Sequence, residues 1–235
     1  MGELVARGQD RWTERSLVPL TCTSAPSEPF VPDSTTMDGM RQLQRDGVIR
    51  DVGVSNYSLD RWKRAQRALG SPVVSNQVEY SLAQRSPDQD LVPFAAANDR
   101  LIIAYSPLAQ GFLAAKYDTH HRPGGVRLTN PLFLDENLAR GHELLNTLRS
   151  VAKTHGATPA QVALAWVIRR RNVVAIPGAS SVDQLVRNAE AADLELTHDE
   201  DAQLTAASDN FRPLTGLTAA PAMFRSRLRT AAHRE

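Results

Sequence analysis

From Thr35 onward, the hydrophobic positions of this sequence follow two alternating patterns. Segments with apolar residues at three- and four-residue spacing predict amphipathic helices, and short apolar runs between them predict buried strands. Capping residues mark several boundaries, as where Ser58 opens a helix that Gly70 closes. The predicted helices are 35–45, 58–69, 88–98, 138–155, 158–170, 182–192 and 199–208, and the predicted strands are 48–54, 73–78, 101–105 and 173–176.

The alternation of strands and helices predicts an α/β fold with a parallel sheet. Residues 1–34 differ from the rest, because they lack a sustained period. Within them, 16–21 is apolar enough for a strand, but Pro19 argues against a central position in a sheet. Periodicity alone leaves open whether the sheet is doubly wound or belongs to part of an eight-stranded barrel.

Composition narrows the class of protein without identifying a partner. The 235 residues are 42% hydrophobic and 23% charged, as in an ordinary globular protein. The formal net charge of +1 gives no argument for nucleic-acid or membrane binding, and no apolar run approaches the roughly 20 residues of a membrane span. The single cysteine, Cys22, excludes an internal disulfide, and no secretory signal is recognisable, so we expect a cytoplasmic location.

Candidate chemistry lies in the loops after the predicted strands, since βα folds bind ligands at the carboxyl ends of their strands. The most informative loop is PGASSVDQ, residues 177–184. A glycine and two serines precede a helix N-terminus there, where free N–H groups favour an anion such as phosphate. The alternative is that Ser180 or Ser181 only caps the helix. The common glycine-rich nucleotide motifs do not occur.

Five segments together resemble the aldo-keto reductases, in the order and spacing of that family. They are GVSNY (53–57), NQVEYS (76–81), AYSPLAQGFLAAKY (104–117), TPAQVALAWVI (158–168) and IPGASSVDQLVRN (176–188). The resemblance covers about residues 35–212 and looks closest to the branch of potassium-channel β-subunits and their bacterial relatives. It implies an incomplete (β/α)8 TIM barrel, about the last four to five βα units, that binds NADP(H) and acts on aldehydes and ketones.

The resemblance also implies which residues contact the cofactor. The residues that would hold the nicotinamide carboxamide are Ser55, Asn56 and Gln77. Tyr105 would stack on the nicotinamide ring. The residues that would cover the pyrophosphate are Ser106, Pro107, Leu108, Ala109, Gln110, Lys116 and Arg127. Those at the adenosine end would be Gly178, Ser180, Gln184 and Asn188. Amides and N–H groups suit a carboxamide and phosphates.

Two positions depart from the pattern of the family. Arg187 stands where the family usually has a glutamate that touches the adenine ribose or base. Ser180 replaces the lysine or arginine that many members use for the 2′-phosphate of NADP. Because a serine can hydrogen-bond a phosphate but adds no charge, we expect NADP(H) as the cofactor and leave NAD(H) open.

We assign no catalytic residue and no metal site in this chain. The family uses an aspartate, a tyrosine, a lysine and a histidine, and the first three lie upstream of the segments matched here. The histidine would fall near 22–26, where the sequence reads Cys-Thr-Ser-Ala-Pro. Tyr57 and Tyr80 follow predicted strands, but neither has a lysine at a spacing that would lower its pKa.

These observations predict a divergent lead-in (1–34), an aldo-keto reductase-like part (35–212) and a basic tail (213–235). We predict an NADP(H)-dependent oxidoreductase with a small-molecule carbonyl substrate, truncated and inactive as this chain alone. The alternatives are a non-catalytic NADP(H)-binding or subunit protein, and a non-functional remnant. A partial barrel exposes the edges of its sheet, which predicts a homo-oligomer. We expect neither a membrane nor a nucleic acid as a partner.

Overall fold

The computed structural model of the protein describes residues 21–24, 32–117, 130–216 and 218–222. These residues form two compact units. The first unit contains 21–24, 32–80, 84–107 and 167–178, and the second contains 81–83, 108–117, 130–166, 179–216 and 218–222.

The first unit is built on a parallel sheet of five strands. They are β1 (Thr21–Ser24), β2 (Val52–Ser55), β3 (Val73–Glu79), β4 (Leu101–Tyr105) and β5 (Val173–Ala175), and they lie side by side in the order of the sequence. A doubly wound sheet reverses its strand order at a switch point, whereas this order runs in one direction, as in a barrel. The strand order thus decides between the two sheets that periodicity left open.

Helices α1 (Asp33–Arg45), α2 (Leu59–Leu69) and α3 (Leu91–Ala97) belong to the same unit. The predicted caps of α2 are confirmed, because the Ser58 side chain accepts from the Arg61 N–H and Gly70 ends the helix at φ 76°. This helix buries Trp62, whose indole Nε1 donates to the Val73 carbonyl at 3.1 Å. That bond fixes α2 against the start of β3.

Several element boundaries differ from the predictions. The strand predicted at 48–54 begins at Val52, because the N–H groups of Val48 and Ile49 donate to the Leu43 carbonyl and terminate α1 instead. The helix predicted at 88–98 begins at Leu91, after a short 3₁₀ helix, Ser86–Asp88. The first strand, β1, begins at Thr21, so Pro19 precedes it rather than interrupting it.

The second unit contains α4 (Asp135–Arg140), α5 (His142–Thr154), most of α6 (Pro159–Ile168), α7 (Val182–Glu190) and α8 (His198–Asn210). The single helix predicted at 138–155 is two helices that meet at Gly141. A Cβ at Gly141 would lie 2.4 Å from Cζ of Phe112, so only glycine allows this close approach. The Phe112 ring stacks on Phe211 at 5.3 Å, and both rings are buried in this unit.

In the ranges that the structure describes, none of the helices combines the length and the apolar character that crossing a membrane requires.

Candidate functional site

The carboxyl ends of β2, β3 and β4 bring together the four predicted nicotinamide residues, which are Ser55, Asn56, Gln77 and Tyr105. Ser55 of β2 is in register with Gln77 of β3, and Glu79 of β3 is in register with Tyr105 of β4. Register partners on parallel strands face the same side, and residues two apart along a strand share a face. Ser55, Gln77, Glu79 and Tyr105 therefore lie on one face of the sheet. We call residues 55–57, 77–79 and 105–106 the carboxyl rim.

Hydrogen bonds connect these residues across the three strands. The Ser55 hydroxyl donates to the Gln77 carbonyl at 3.2 Å, and the Asn56 N–H donates to the same carbonyl at 2.8 Å. Burial raises the pKa of the Tyr105 hydroxyl, and a hydrogen bond with the Asn56 side chain opposes that effect. Asn56 thus spans from the end of β2 to the end of β4, and the four predicted residues form one connected group.

A buried asparagine that the sequence analysis did not assign holds this loop in place. Asn76 is 0% exposed, and its side chain donates to the Tyr57 carbonyl at 2.8 Å and accepts from the Tyr57 N–H at 3.4 Å. Its neighbour Gln77 points to the other face of β3, since side chains alternate along a strand. The signal in the sequence was an amide inside an apolar strand, which requires a partner when buried.

The Tyr57 side chain is held by an ion pair rather than activated as an acid. Its hydroxyl donates to Asp33 at 3.0 Å, and the Arg61 guanidinium lies 3.9 Å from the centre of its ring. Arg61 also pairs with Asp33 at 2.7 Å, and this hydrogen bond holds the pKa of the Asp33 carboxyl below its usual value. Burial and the Asp33 hydrogen bond raise the pKa of Tyr57.

Tyr80, which follows β3, is held in a similar way. It is fully buried, and its hydroxyl donates to Asp88 at 2.7 Å, while Asp88 also pairs with Arg85 at 3.0 Å. Burial raises the pKa of Tyr80 to about 12. Tyr57 and Tyr80 therefore have higher pKa values than tyrosine in water, and that neither acts as a proton donor stays a prediction.

The segment after β4 has an unusual backbone conformation. Six non-glycine residues in the described ranges have a left-handed φ, and they are Asn56, Asp99, Ser106, Ala109, Gln110 and Ala115. Four of the six are predicted cofactor residues. Such conformations cost of order 1–3 kcal/mol each and cluster at ligand sites. The clustering supports the predicted role of residues 106–110.

The predicted pyrophosphate residues fall in both units. Ser106 and Pro107 end the stretch 84–107 of the first unit, and Leu108, Ala109, Gln110 and Lys116 lie in the stretch 108–117 of the second. The latter lie in or beside a 3₁₀ helix, Ala109–Ala114, that is kinked at Gln110 and Gly111. Lys116 is exposed. Arg127 lies outside the described residues.

At the start of α7, the structure separates the roles of two serines. The Ser181 side chain accepts from the Gln184 N–H at 3.2 Å and is the N-cap of the helix. Ser180 is not the cap; its N–H and its hydroxyl donate to the Gln184 side chain at 2.8 and 2.9 Å. Ser180 and Gln184 are thus brought together and are both exposed, as the resemblance requires of an adenosine contact.

Three further residues of this region complete the comparison with the predictions. Arg187, which replaces a glutamate of the family pattern, pairs with Asp183 on the surface of α7. Asn188 is partly buried on the same helix, and Gly178 is exposed just after β5.

Among the described residues, no group of three or more His, Cys, Asp or Glu side chains has the arrangement of a metal site.

Taken by itself, the carboxyl rim has the groups that a nicotinamide ring and its carboxamide require. It offers a hydroxyl, two amides and an aromatic ring, on a face where Gln77 and Tyr105 are only partly buried. The family model of the aldo/keto reductases matches residues 22–209 of this chain. The chain belongs to the aldo/keto reductase family.

Relatives of this aldo/keto reductase include an uncharacterized oxidoreductase of Mycobacterium tuberculosis. It is 54% identical over 215 residues, which are 90% of this chain and 66% of the relative. A counterpart from Mycobacterium bovis has the same identity and coverage. The chain thus spans 66% of the length of these relatives.

Solved aldo-keto reductases have a similar fold. A thermostable enzyme solved with the inhibitor epalrestat is 30% identical with a TM-score of 0.60, over 76% of this chain and 56% of the other. An enzyme from Klebsiella pneumoniae, solved with NADP and acetate, is 33% identical with a TM-score of 0.56, over 75% and 54%. The predicted fold, an α/β chain forming part of a TIM barrel, is confirmed.

Proposed function

We propose that this chain contains the cofactor-binding part of an NADP(H)-dependent oxidoreductase that acts on carbonyl compounds. The observation that supports it best is the connected group of Ser55, Asn56, Gln77 and Tyr105 at the carboxyl rim. NADP(H), when bound, supplies or accepts a hydride at its nicotinamide ring. The structure of the Klebsiella pneumoniae relative with NADP supports the choice of cofactor.

The residues of this chain would bind and orient the cofactor. The Gln77 and Asn56 amides can donate to and accept from the carboxamide, which fixes the rotation of the nicotinamide ring. The Tyr105 ring offers a flat face for stacking. Its position at the end of β4 and its hydrogen bond with Asn56 orient that face. Ser180 and Gln184 would hydrogen-bond a phosphate or a ribose, and because neither carries a positive charge they would favour NADP(H) over NAD(H) only weakly.

A second candidate is NADP(H) binding without catalysis by this chain alone. The observation that favours it is the state of Tyr57 and Tyr80, because both hydroxyls are hydrogen-bonded to carboxylates and have a raised pKa. A general acid near neutral pH requires the opposite shift. In this reading the proton donor is not among the residues of the carboxyl rim.

One titration and one assay separate these candidates. We expect NADPH to bind with calorimetric heat, and the Gln77→Ala variant to bind about tenfold more weakly because it loses its amide hydrogen bonds. The control is Gln89→Ala, the same change at an exposed residue of the same unit. Turnover of a generic aldehyde would favour the oxidoreductase, binding without turnover the second candidate, and the absence of both a non-functional remnant.

We also propose that the chain self-associates through the edge of its sheet. Among the described strands, β5 is outermost on one side, and Val174 and Ile176 are 43% and 48% exposed. An exposed apolar edge strand is a template for pairing, and a lysine there opposes it. We expect a dimer by sedimentation and a monomer for Val174→Lys, whereas a monodisperse wild-type monomer would contradict the proposal.

A cytoplasmic location stays a prediction, supported by the single cysteine.

A further inference from the structure

Glu79 is a carboxylate of the carboxyl rim to which the proposed function gives no role. It is the last residue of β3, two positions after Gln77, and it is in register with Tyr105 of β4. It therefore lies on the same face as Ser55, Gln77 and Tyr105, and it is partly buried there. The backbone confirms the close approach of the two strand ends, because the Tyr80 N–H donates to the Tyr105 carbonyl.

Among the described residues of the first unit, the Glu79 carboxylate forms no ion pair with an arginine or a lysine. Burial raises the pKa of Glu79. In the same unit, Arg85 pairs with Asp88 and Arg61 pairs with Asp33. The negative charge of Glu79 is felt at the Tyr105 hydroxyl, where it adds to burial in raising the pKa of Tyr105.

We propose that the Glu79 carboxylate makes the carboxyl rim bind the oxidised nicotinamide more tightly, relative to the reduced form, than a neutral residue would. The inference rests on the proposed function, which places the nicotinamide ring against Tyr105. The oxidised ring carries one positive charge and the reduced ring carries none. A fixed negative charge on the same face attracts the first and is indifferent to the second.

The size of the effect follows from Coulomb attraction at the surface of a protein. With an effective dielectric constant of about 20, two unit charges that lie two or three strand residues apart attract each other strongly enough to change a binding constant roughly tenfold. The rest of the nucleotide is the same in both oxidation states. The ratio of the two affinities therefore isolates the charge of the ring from every other contact, including those to the phosphates.

The experiment measures the dissociation constants of NADP⁺ and NADPH at pH 8 by calorimetry, for the full chain and for Glu79→Gln. We expect the variant to bind NADP⁺ about tenfold more weakly and NADPH within about twofold of wild type. Glu79→Asp, which keeps the charge, should retain most of the wild-type ratio. Glu143→Gln is the matched control, because Glu143 is an exposed carboxylate of the second unit outside the predicted cofactor residues.

The outcomes separate the inference from the function on which it rests. If wild type binds both nucleotides and Glu79→Gln leaves their ratio unchanged, or weakens both equally, only the inference is overturned. If wild type binds neither, the proposed function fails and the inference fails with it. Circular dichroism and urea unfolding check the fold of each variant, and Glu79→Ala is a second neutral variant that must give the same direction of change.

Discussion

The carboxyl rim of the first unit and helix α7 of the second both carry predicted cofactor residues, yet they are built differently. At the carboxyl rim, the backbones of three strands and the buried Asn76 fix the side chains. On α7, no residue is buried, and Ser180, Gln184 and Arg187 are held by side chains of the helix and its first turn. The large apolar residues of α7 are exposed as well, and Val182 reaches 78% exposure.

The difference indicates where binding energy and rigidity come from. A site whose first layer is fixed by strand register and by buried hydrogen bonds is preorganised, and little entropy is lost when a ligand binds to it. Exposed side chains on one helix turn are ordered only by each other. We therefore expect the nicotinamide end to fix the pose of the cofactor, and the adenosine end to adjust to it. The following predictions test this contrast, beginning with the largest expected effect.

The same leucine substitution should have very different costs in the two regions. Leu69 of α2 is 1% exposed, whereas Leu185 of α7 is 60% exposed. We expect Leu69→Ala to lower the free energy of unfolding by about 2–5 kcal/mol, because it leaves a cavity. Leu185→Ala should change it by less than about 0.5 kcal/mol. Urea unfolding measures both, and a large loss for Leu185→Ala would show that α7 is covered in solution.

Removing the Tyr105 ring should weaken cofactor binding strongly. Stacking on an aromatic side chain contributes about 1–3 kcal/mol per base, so Tyr105→Ala should raise the dissociation constant of NADPH roughly tenfold to a hundredfold. Tyr105→Phe keeps the ring and loses only the Asn56 hydrogen bond, and we expect a change of about threefold or less. Calorimetry decides, and equal losses for both variants would assign the effect to the hydroxyl rather than to stacking.

The two serines before α7 should be separable by substitution. Ser181→Ala removes the N-cap and should destabilise the helix by about 1 kcal/mol, which is seen as faster hydrogen exchange of the α7 amides. Ser180→Ala keeps the cap, so we expect no faster exchange there. It should instead weaken NADPH binding by roughly twofold to tenfold. Faster exchange in Ser180→Ala would mean that its bond to Gln184 serves mainly the helix.

The ion pair between Asp33 and Arg61, next to Tyr57, should contribute to stability only while the Asp33 carboxyl is charged. The pKa of Asp33 is held below its ordinary value of 3.8, chiefly by the hydrogen bond from Arg61. A carboxyl whose pKa is lower in the folded than in the unfolded state stabilises the fold at pH values above its unfolded-state pKa. That contribution is lost as the pH falls through the folded-state pKa. The stability difference between wild type and Asp33→Asn should thus be constant near neutral pH and shrink below about pH 4.

Urea unfolding at several pH values between 3 and 7 measures this difference. The control is Asp60→Asn, which changes an exposed carboxylate of α2. A difference that stays constant from pH 7 to pH 3 for Asp33→Asn would contradict the role of the ion pair.

Most of the elements could be predicted from the sequence because their signals are local. Ser58 and Gly70 lie at the ends of α2 where they were predicted, and LIIAY forms β4 with the predicted bounds. The loop motifs placed the candidate site at the carboxyl ends of the strands, where Ser55, Gln77 and Tyr105 are found. The assignment of these residues to a nicotinamide came from resemblance and stays a prediction.

Other features depend on residues far apart in the sequence. The order of the strands, the partners of Asn76, the break at Gly141 against Phe112 and the proximity of Glu79 to Tyr105 each join segments that no local period relates. Capping residues and periodicity act within one or two helical turns, so they can be read directly from the sequence. Register and burial arise only when distant strands and helices pack, and these decide which polar side chains face a ligand and which are buried as supports.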